Sequence, residues 1–333
     1  MDNMTFISAI PRIKVLETRL LDKSKFDRMI ECSTPWDAVK ILQETEYATH
    51  MSYVKKAEDY EYMLSLELSR LYKLLYELSP VKVLVDIMSI KYKYHNMKVL
   101  LKAKALNQDF HELLIPIEVA DFEQLKSAIE NNDYRNLSTF MAEAAEQASV
   151  DYEINKNPQN IDIILDRFLF SEMVSMSKEI NSDFINKFVQ AQIDLINIKS
   201  VIRIKRQNKG REFLEPILID GGTIDKSRLK ALLLDSIESI PGRFAYSQYG
   251  EVISNGIEEY RKNGSLNKLE ILIDNFIMKL MKDAKYMSSG PEPLIAYIYA
   301  KENEIRLIRV IMVGKINKLS SDEIRERLRD NYV

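Results

Sequence analysis

The chain has 333 residues, of which 46% are hydrophobic and 29% are charged. These fractions are typical of a soluble globular protein, and they exclude a wholly disordered or membrane-spanning chain. Only nine glycines and nine prolines occur, which disfavours turn-rich β architectures and folds built on glycine-rich loops. The net charge of -3 excludes binding of polyanions through bulk positive charge.

The compartment is indicated by the single cysteine and by the N-terminal residues. Cys32 has no second cysteine with which to form an intramolecular disulfide, which fits a reducing environment. Residues 1–4 lack the basic-then-apolar order of a secretory signal. No apolar stretch is long enough to span a bilayer. We therefore expect a cytoplasmic location.

Helical periodicity is the dominant pattern along the chain. Between residues 57 and 78, apolar side chains recur at steps of three and four, which predicts one long amphipathic helix. Short apolar runs at residues 113–117 and 216–222 contain proline or glycine, and we interpret them as extended connectors. The predicted fold class is all-α.

Several helix starts are marked by capping residues. Thr34, Ser79 and Asn157 each precede a proline, and proline suits the first position of a helix. Asp121 and Ser320 begin segments with the spacing of a capping box, which predicts two further starts.

One segment recurs three times. Residues 96–104 align with residues 197–205, and a shorter copy covers residues 304–310. Asp166 and Asp274 recur about 30 residues before the second and third copies. We call the first residue of each copy an anchor; the anchors are Asn96, Asn197 and Glu304.

Each copy lies on the second of two predicted long helices, which we call the anchored helix. A helix of about 27 residues is a rod of roughly 40 Å, and one pair of such rods does not bury its own apolar stripe. Each unit is therefore a bundle or leans on its neighbours. The predicted domains are three similar helical units at residues 1–112, 113–217 and 218–333.

The anchors are polar residues within mostly apolar helices. We expect Asn96 and Asn197 to be buried amides that bond the next helix and fix its register. Glu304 takes the same position in the third copy. Asp166 and Asp274 are candidates for pairing with basic residues inside their own units.

Basic residues follow the anchors at helical spacing. Lys98 and Lys102 are four residues apart, as are Lys199 and Arg203, so each pair forms a ridge along a helix. Two interpretations are open: the ridges contact an acidic partner, or they form a solvated face with internal ion pairs. The candidate interface residues, which we call the ridge residues, are Lys98, Lys102, Lys199, Arg203, Arg306 and Arg309.

Catalytic motifs are missing from the sequence. It contains no phosphate-binding glycine loop and no dinucleotide fingerprint. His50, His95 and His111 do not have the spacing of known metal-binding motifs. We predict no catalytic residue, no cofactor and no metal site. Two alternatives are left open: a helical scaffold that binds nucleic acid or other acidic partners through the basic ridges, and a helical enzyme with an unrecognised site.

The repeated anchors resemble those of the C subunit of the bacterial and archaeal V/A-type ATPases, whose eukaryotic relative is the d subunit. Residues 92–101 and 301–309 carry the strongest likeness, and the resemblance covers essentially the whole chain. The second unit departs from the first because residues 191–194 lack the aromatic side chains of residues 91–94.

This resemblance implies a non-catalytic rotor subunit with three helical domains in a pseudo-threefold funnel. Such a protein lies peripherally on the cytoplasmic face of the membrane, with one copy per complex. Its partners are the central-stalk subunits and the membrane rotor ring, and nucleic acid is not among them. It transmits torque for ion transport and needs no cofactor.

Overall fold

A computed structural model describes residues 3–333, and every regular element in that range is helical. The predicted all-α fold is confirmed. Met1 and Asp2, which belong to the segment considered as a secretory signal, lie outside the described residues. The α-helices are α1 (Ala9–Glu17), α2 (Lys23–Glu31), α3 (Pro35–Ile41), α4 (Tyr60–Leu78), α5 (Val83–Leu106), α6 (Val119–Asn131), α7 (Thr139–Asn155), α8 (Pro158–Ile180), α9 (Asp183–Arg206), α10 (Arg211–Leu214), α11 (Lys226–Ala231), α12 (Ile240–Phe244), α13 (Gly250–Asn263), α14 (Asn267–Asp283), α15 (Glu292–Ile316) and α16 (Ser321–Arg325).

Short 3-10 segments join or extend several of these helices. They are Asn3–Phe6, Leu42–Glu44, Glu46–Tyr53, Ala57–Asp59, His111–Leu113, Glu215–Ile217, Ile237–Ser239 and Ala284–Tyr286.

The three anchored helices are α5, α9 and α15. They have 24, 24 and 25 residues, which gives rods of about 36 Å. The first is shorter than predicted because Ser79 does not start it. The Ser79 hydroxyl instead donates to the carbonyl oxygen of Val81 and accepts from its N–H, which closes a turn before α5.

Most predicted helix starts are confirmed. Thr34 and Asn157 cap α3 and α8 through side-chain oxygens that accept main-chain N–H groups. Ser320 and the third residue of α16 form a reciprocal capping box. The start predicted at Asp121 is wrong, because α6 begins earlier and Asp121 lies in its first turn. Its carboxylate binds Lys93 instead.

The chain divides into two compact units. The first contains Met1–Val85 and Glu258–Val333, and the second contains Asp86–Ile257. In the first unit, α1 to α4 pack against α15, so segments from both ends of the chain share one core. In the second unit, α8 packs between α7 and α9. The three domain boundaries inferred from the sequence repeat stay a prediction.

Helix α15 is buried on nearly every side. Residues 293–305 are all buried, although a surface helix normally buries only one stripe. This run contains four consecutive polar residues, 301–304. Buried polar groups require partners, so these residues mark the place where the polar contacts of the first unit are concentrated.

Gly314 allows α16 to approach α15 closely. A Cβ atom at Gly314 would lie 2.6 Å from Cγ1 of Ile324, whereas a Cβ at Gly242 in α12 would meet nothing within 4 Å. We predict that Gly314→Ala lowers the free energy of unfolding by about 1–2 kcal/mol, because overpacking forces the neighbouring side chain to move. Gly242→Ala is the matched control and should be neutral or stabilising. Urea denaturation of both variants measures the difference, and equal stability of the two would contradict this account of the packing.

Candidate functional site

Two anchors bind the main chain of the connectors that follow their helices. The Asn197 side-chain amide donates to the carbonyl oxygen of Ile219, and its Oδ1 accepts the N–H of the same residue, both at 2.9 Å. Asn96 forms the same pair of bonds with Ile115 at 2.8 and 2.7 Å. We call this arrangement the amide clamp.

The amide clamp fixes an irregular segment against a regular one. The connectors have no helical or sheet partner at these residues, so their main-chain groups need side-chain partners. From the sequence we predicted that the anchors bond a neighbouring helix, whereas the structure gives them the connector main chain. One carboxamide satisfies both groups of one residue and thereby sets the position of the connector along the helix.

In the third copy, two neighbouring residues share this role. The Asn303 side-chain amide donates to the carbonyl oxygen of Asp330 at 3.0 Å. The Glu304 carboxylate accepts the main-chain N–H of Leu21 at 2.5 Å. The third anchored helix therefore holds a C-terminal segment through Asn303 and an N-terminal segment through Glu304.

Asn303 was missed by the sequence alignment. If the third copy is aligned so that Asn303 matches Asn96, then Arg309 matches Lys102. This second match of a basic residue was the signal in the sequence that could have identified Asn303 as the third anchor.

Helix α9 carries a second main-chain contact through a buried carboxylate. Asp194 accepts hydrogen bonds from the Thr223 hydroxyl, from the N–H of Ile224 at 3.0 Å and from the Tyr249 hydroxyl at 2.9 Å. A Cβ atom at Gly222 would collide with this carboxylate, so the close approach requires glycine there. Burial and the charge of Asp194 raise the pKa of Tyr249, which keeps its hydroxyl a donor.

Glu304 makes the equivalent contacts on α15. It accepts from the N–H of Leu21 and, at 2.8 Å, from the Tyr47 hydroxyl. Leu21 directly precedes Asp22, which caps the start of α2. In the same way, Ile224, which donates to Asp194, directly precedes Asp225, which caps the start of α11. Each carboxylate therefore places the start of a short capped helix against an anchored helix.

A lysine of each anchored helix caps the far end of a short helix. The ammonium group donates to carbonyl oxygens that a helix C-terminus leaves unpaired, and its charge complements the helix dipole. The pairs are Lys104 with Ile129 at 2.5 Å in the last turn of α6, Lys205 with Leu233 at 2.8 Å after α11, and Lys315 with Cys32 at 2.9 Å after α2.

The first basic ridge pairs with carboxylates of another helix. Lys98 Nζ lies 2.6 Å from Asp166, and Lys102 Nζ lies 2.5 Å from Asp162, so two ion pairs join α5 to α8. The two lysine side chains are 21% and 29% exposed. Partly exposed pairs of this kind each contribute up to about 1 kcal/mol.

The ridge of the third copy is also paired. Arg306 lies 3.3 Å from Asp274, which binds Arg329 as well at 3.0 Å. Arg309 donates three hydrogen bonds to Glu61, so its guanidinium joins α15 to α4. Asp166 and Asp274 thus each contact a ridge residue. The remaining ridge residues, Lys199 and Arg203, line a groove on the second unit.

A fully buried lysine lies at the centre of a charged network in the first unit. Lys301 is 0% exposed, and its Nζ lies 2.6 Å from Glu304 and 3.2 Å from Glu67. Its ammonium also sits 4.4 Å from the centre of the Tyr47 ring. Arg70 donates two hydrogen bonds of 2.8 Å to Glu67.

The network determines which groups carry charge. Burial disfavours the Lys301 ammonium, but the charges of Glu304 and Glu67 outweigh burial and raise the pKa of Lys301. Burial likewise opposes ionisation of Glu67, but Arg70 and Lys301 outweigh it and lower the pKa of that carboxyl. Lys301 and Glu67 therefore stay ionised inside the core. Sequence reasoning missed this cluster because its members come from distant parts of the chain.

The buried lysine gives a stability prediction. Lys301→Met should lower the free energy of unfolding by about 3–5 kcal/mol, because removing one partner leaves buried carboxylates uncompensated. Adding Glu304→Gln should restore part of the loss, since glutamine still accepts from Tyr47 and Leu21 without a charge. Urea denaturation measures both variants. A Lys301→Met protein as stable as the original would contradict the assigned role.

The amide clamp gives a second prediction. Asn197→Leu leaves the buried N–H and carbonyl of Ile219 unpaired, so we expect a loss of about 2–4 kcal/mol. Asn96→Leu should cost less, because Ile115 is partly exposed and water reaches its main chain. Denaturant titration orders the two variants. Equal losses, or a neutral Asn197→Leu, would show that the clamp does not stabilise the connector.

A buried carboxyl makes part of the stability of the second unit depend on pH. Burial raises the pKa of Glu172, although the Tyr94 hydroxyl, which donates to it at 2.8 Å, offsets part of that effect. The folded protein therefore retains a proton that the unfolded chain releases near its ordinary pKa of about 4.3. This contribution is present below the unfolded pKa and is lost as pH rises through the folded pKa.

Glu172→Gln tests that dependence. The variant keeps an acceptor for Tyr94 but does not titrate, so its stability relative to the original protein should rise from pH 4 upward and then level off. Chemical denaturation at a series of pH values measures the difference. A difference that is constant with pH would contradict the raised pKa of Glu172.

The polar contacts described above are bonds within the chain, and they hold connectors and short helices against long ones. Within residues 3–333, no group of three His, Cys, Asp or Glu side chains converges as metal ligands. In the same range, none of the helices combines the length and apolar character needed to cross a membrane. The fold and the site define an all-helical scaffold protein.

Comparison with known proteins identifies the family. The model of the ATP synthase (C/AC39) subunit family matches residues 9–327. The C subunit of the V-type sodium ATPase of Enterococcus hirae is 29% identical over 322 residues, which cover 97% of this chain and 97% of that protein. The C subunit of the A-type ATP synthase of Methanocaldococcus jannaschii is 26% identical, covering 95% of this chain and 84% of that protein.

The chain belongs to the ATP synthase (C/AC39) subunit family, and the family predicted from the anchors is confirmed. It is a non-catalytic subunit of a V/A-type rotary ATPase.

Proposed function

We propose that this protein couples the central stalk to the membrane rotor ring and transmits torque for ion transport. It does so as a peripheral protein on the cytoplasmic face of the membrane, with one copy per complex and without a cofactor. The observation that supports this proposal is the repeated clamping of connectors and short helices onto three long anchored helices. The pseudo-threefold funnel expected from the family belongs to the same proposal.

Torque transmission requires parts that deform little under load. Close-packed helix interiors have low compressibility, and the anchored helices add bonds that fix the irregular segments to them. A connector that was free to slide along its helix would absorb displacement. The amide clamps, the buried carboxylates and the lysine caps each remove that freedom at a different place.

The ridge residues divide into two groups in this proposal. Lys98, Lys102, Arg306 and Arg309 hold long helices side by side through ion pairs within the chain. Lys199 and Arg203 line a groove on the second unit, and we keep them as candidates for contact with a partner. The nucleic-acid alternative gains no support, because carboxylates of the same chain occupy the first ridge.

Reconstitution tests the proposed coupling. The purified protein should form a complex with both the central-stalk pair and the detergent-solubilised rotor ring, and native mass spectrometry should show one copy in it. Binding of the stalk without the ring, or of the ring without the stalk, would contradict a coupling role.

A charge swap tests the role of the first ridge. Lys98→Glu with Lys102→Glu places like charges beside Asp162 and Asp166, so the free energy of unfolding should fall by about 1–3 kcal/mol. Adding Asp162→Lys and Asp166→Lys should restore both the melting temperature and assembly. If the swap restored the melting temperature but not assembly, these two lysines would contact the partner directly and their assignment here would be wrong.

A further inference from the structure

The sequence contains two Asn-Gly pairs, and the structure gives them different surroundings. Asn255 and Gly256 lie inside α13, where Gly256 is buried. Asn263 is the last residue of α13, and Gly264 follows it in the turn before α14. Both residues of this second pair are exposed. In an Asn-Gly pair the glycine nitrogen reaches the asparagine side chain easily, because glycine has no Cβ atom to hinder the approach.

The main chain at Gly264 has the freedom that such an approach requires. Its φ is +67°, a conformation that favours glycine, and a Cβ atom there would meet nothing within 4 Å. The Gly264 N–H donates to the carbonyl oxygen of Tyr260 at 2.8 Å. This bond lies at the end of α13, and helix ends open at little cost in free energy, whereas the N–H of Gly256 lies within the helix.

The carboxamide of Asn263 is held against the main chain that follows it. Its Oδ1 accepts the N–H of Ser265 at 2.8 Å, and this bond spans Gly264. The Ser265 N–H is also placed to stabilise negative charge that develops on Oδ1 when a nucleophile adds to Cγ of Asn263. The turn therefore supplies both a nearby nitrogen nucleophile and a donor for the oxygen of the attacked group.

We propose that Asn263 is a site of spontaneous deamidation through a cyclic imide. Once the bond to Tyr260 has opened, hydroxide removes the N–H proton of Gly264, and the nitrogen attacks Cγ of Asn263. A new C–N bond forms between them. The bond from Cγ to the side-chain nitrogen then breaks, and that nitrogen takes a proton from water and leaves as ammonia.

Water then opens the imide ring at one of its two carbonyl carbons. Addition of water at Cγ of Asn263 breaks the new bond to the Gly264 nitrogen and gives aspartate. Addition at the main-chain carbonyl carbon breaks the original peptide bond and gives isoaspartate, in which the chain continues through the side chain. The whole sequence consumes one water and releases one ammonia, with no oxidation or reduction.

The products change the junction between α13 and α14. Both place a new negative charge at the C-terminus of α13, where the helix dipole favours positive groups. Isoaspartate also adds one methylene group to the main chain just before the turn that leads to the buried Leu266. The modification therefore acts on the packing of the first unit as well as on its charge.

The test is incubation of the purified, folded protein at physiological temperature, followed by proteolysis and tandem mass spectrometry. The fragment that contains Asn263 should convert from amide to acid and separate chromatographically into aspartyl and isoaspartyl forms. Conversion should be faster in more alkaline buffer, because hydroxide removes the main-chain proton. Asn255 in the same digest is the matched control, and it should react at least about ten-fold more slowly, since its neighbour is held within a helix.

Two further measurements separate the effect of the fold from that of the sequence. In urea the two Asn-Gly pairs should react at similar rates. In the folded protein, Gly264→Ala should slow conversion of Asn263 severalfold, because a Cβ atom hinders ring closure. Should that variant melt early, the comparison of Asn263 with Asn255 in the original protein decides.

Three results would overturn the proposal. One is an Asn263 that stays an amide in the folded protein while the urea-denatured chain reacts. Another is equal conversion of Asn263 and Asn255 in the folded protein. The third is conversion of Asn263 to aspartate without isoaspartate, which would exclude the cyclic imide.

Discussion

The bond between a side-chain amide and the main chain of a connector is the constraint on which the rest of this structure depends. Asn197 satisfies both main-chain groups of Ile219, which lies in an irregular segment with no ladder or helix to pair them. With Ile219 held in place, Ile224 a few residues later can donate its N–H to Asp194. The next residue, Asp225, then caps the start of α11. Long helices thereby position short ones.

Side chains of α15 likewise bind segments from the first fifty residues of the chain. Helix α15 holds Leu21 and Tyr47 through Glu304, and it caps α2 through Lys315. These contacts join residues more than 250 positions apart, so the core of the first unit contains segments that are distant in the sequence. The cost of bringing such distant segments together is offset by the dense apolar burial around α15.

The sequence predicted where the helices lie better than it predicted which residues their polar side chains bind. Regular spacing of apolar residues predicted the long helix that ends at Leu78, and a capping serine predicted α16. The same capping logic was wrong at Asp121, because the spacing of a capping box also fits the first turn of a helix that began two residues earlier. Local patterns do not distinguish a cap from a first-turn carboxylate that binds a distant lysine.

The candidate site shows the same limit. Asn96 and Asn197 stood out as polar residues in apolar helices, and that signal identifies a residue that needs a partner. It does not identify the partner, which here is the main chain of a connector. Lys301 gave only a weak local signal, because Glu304 lies three residues further along the same helix but the other two carboxylates, Glu46 and Glu67, come from distant segments.

A scaffold built this way can serve a rotary machine because its irregular segments are bonded at defined points. Native-state hydrogen exchange of the main-chain amides of Ile219 and Leu21 tests that claim most directly. Both lie outside helices, yet each donates to a buried side chain, so we predict that they exchange only through openings whose free energy approaches that of global unfolding. Exchange at the rate of exposed loop amides would contradict the account.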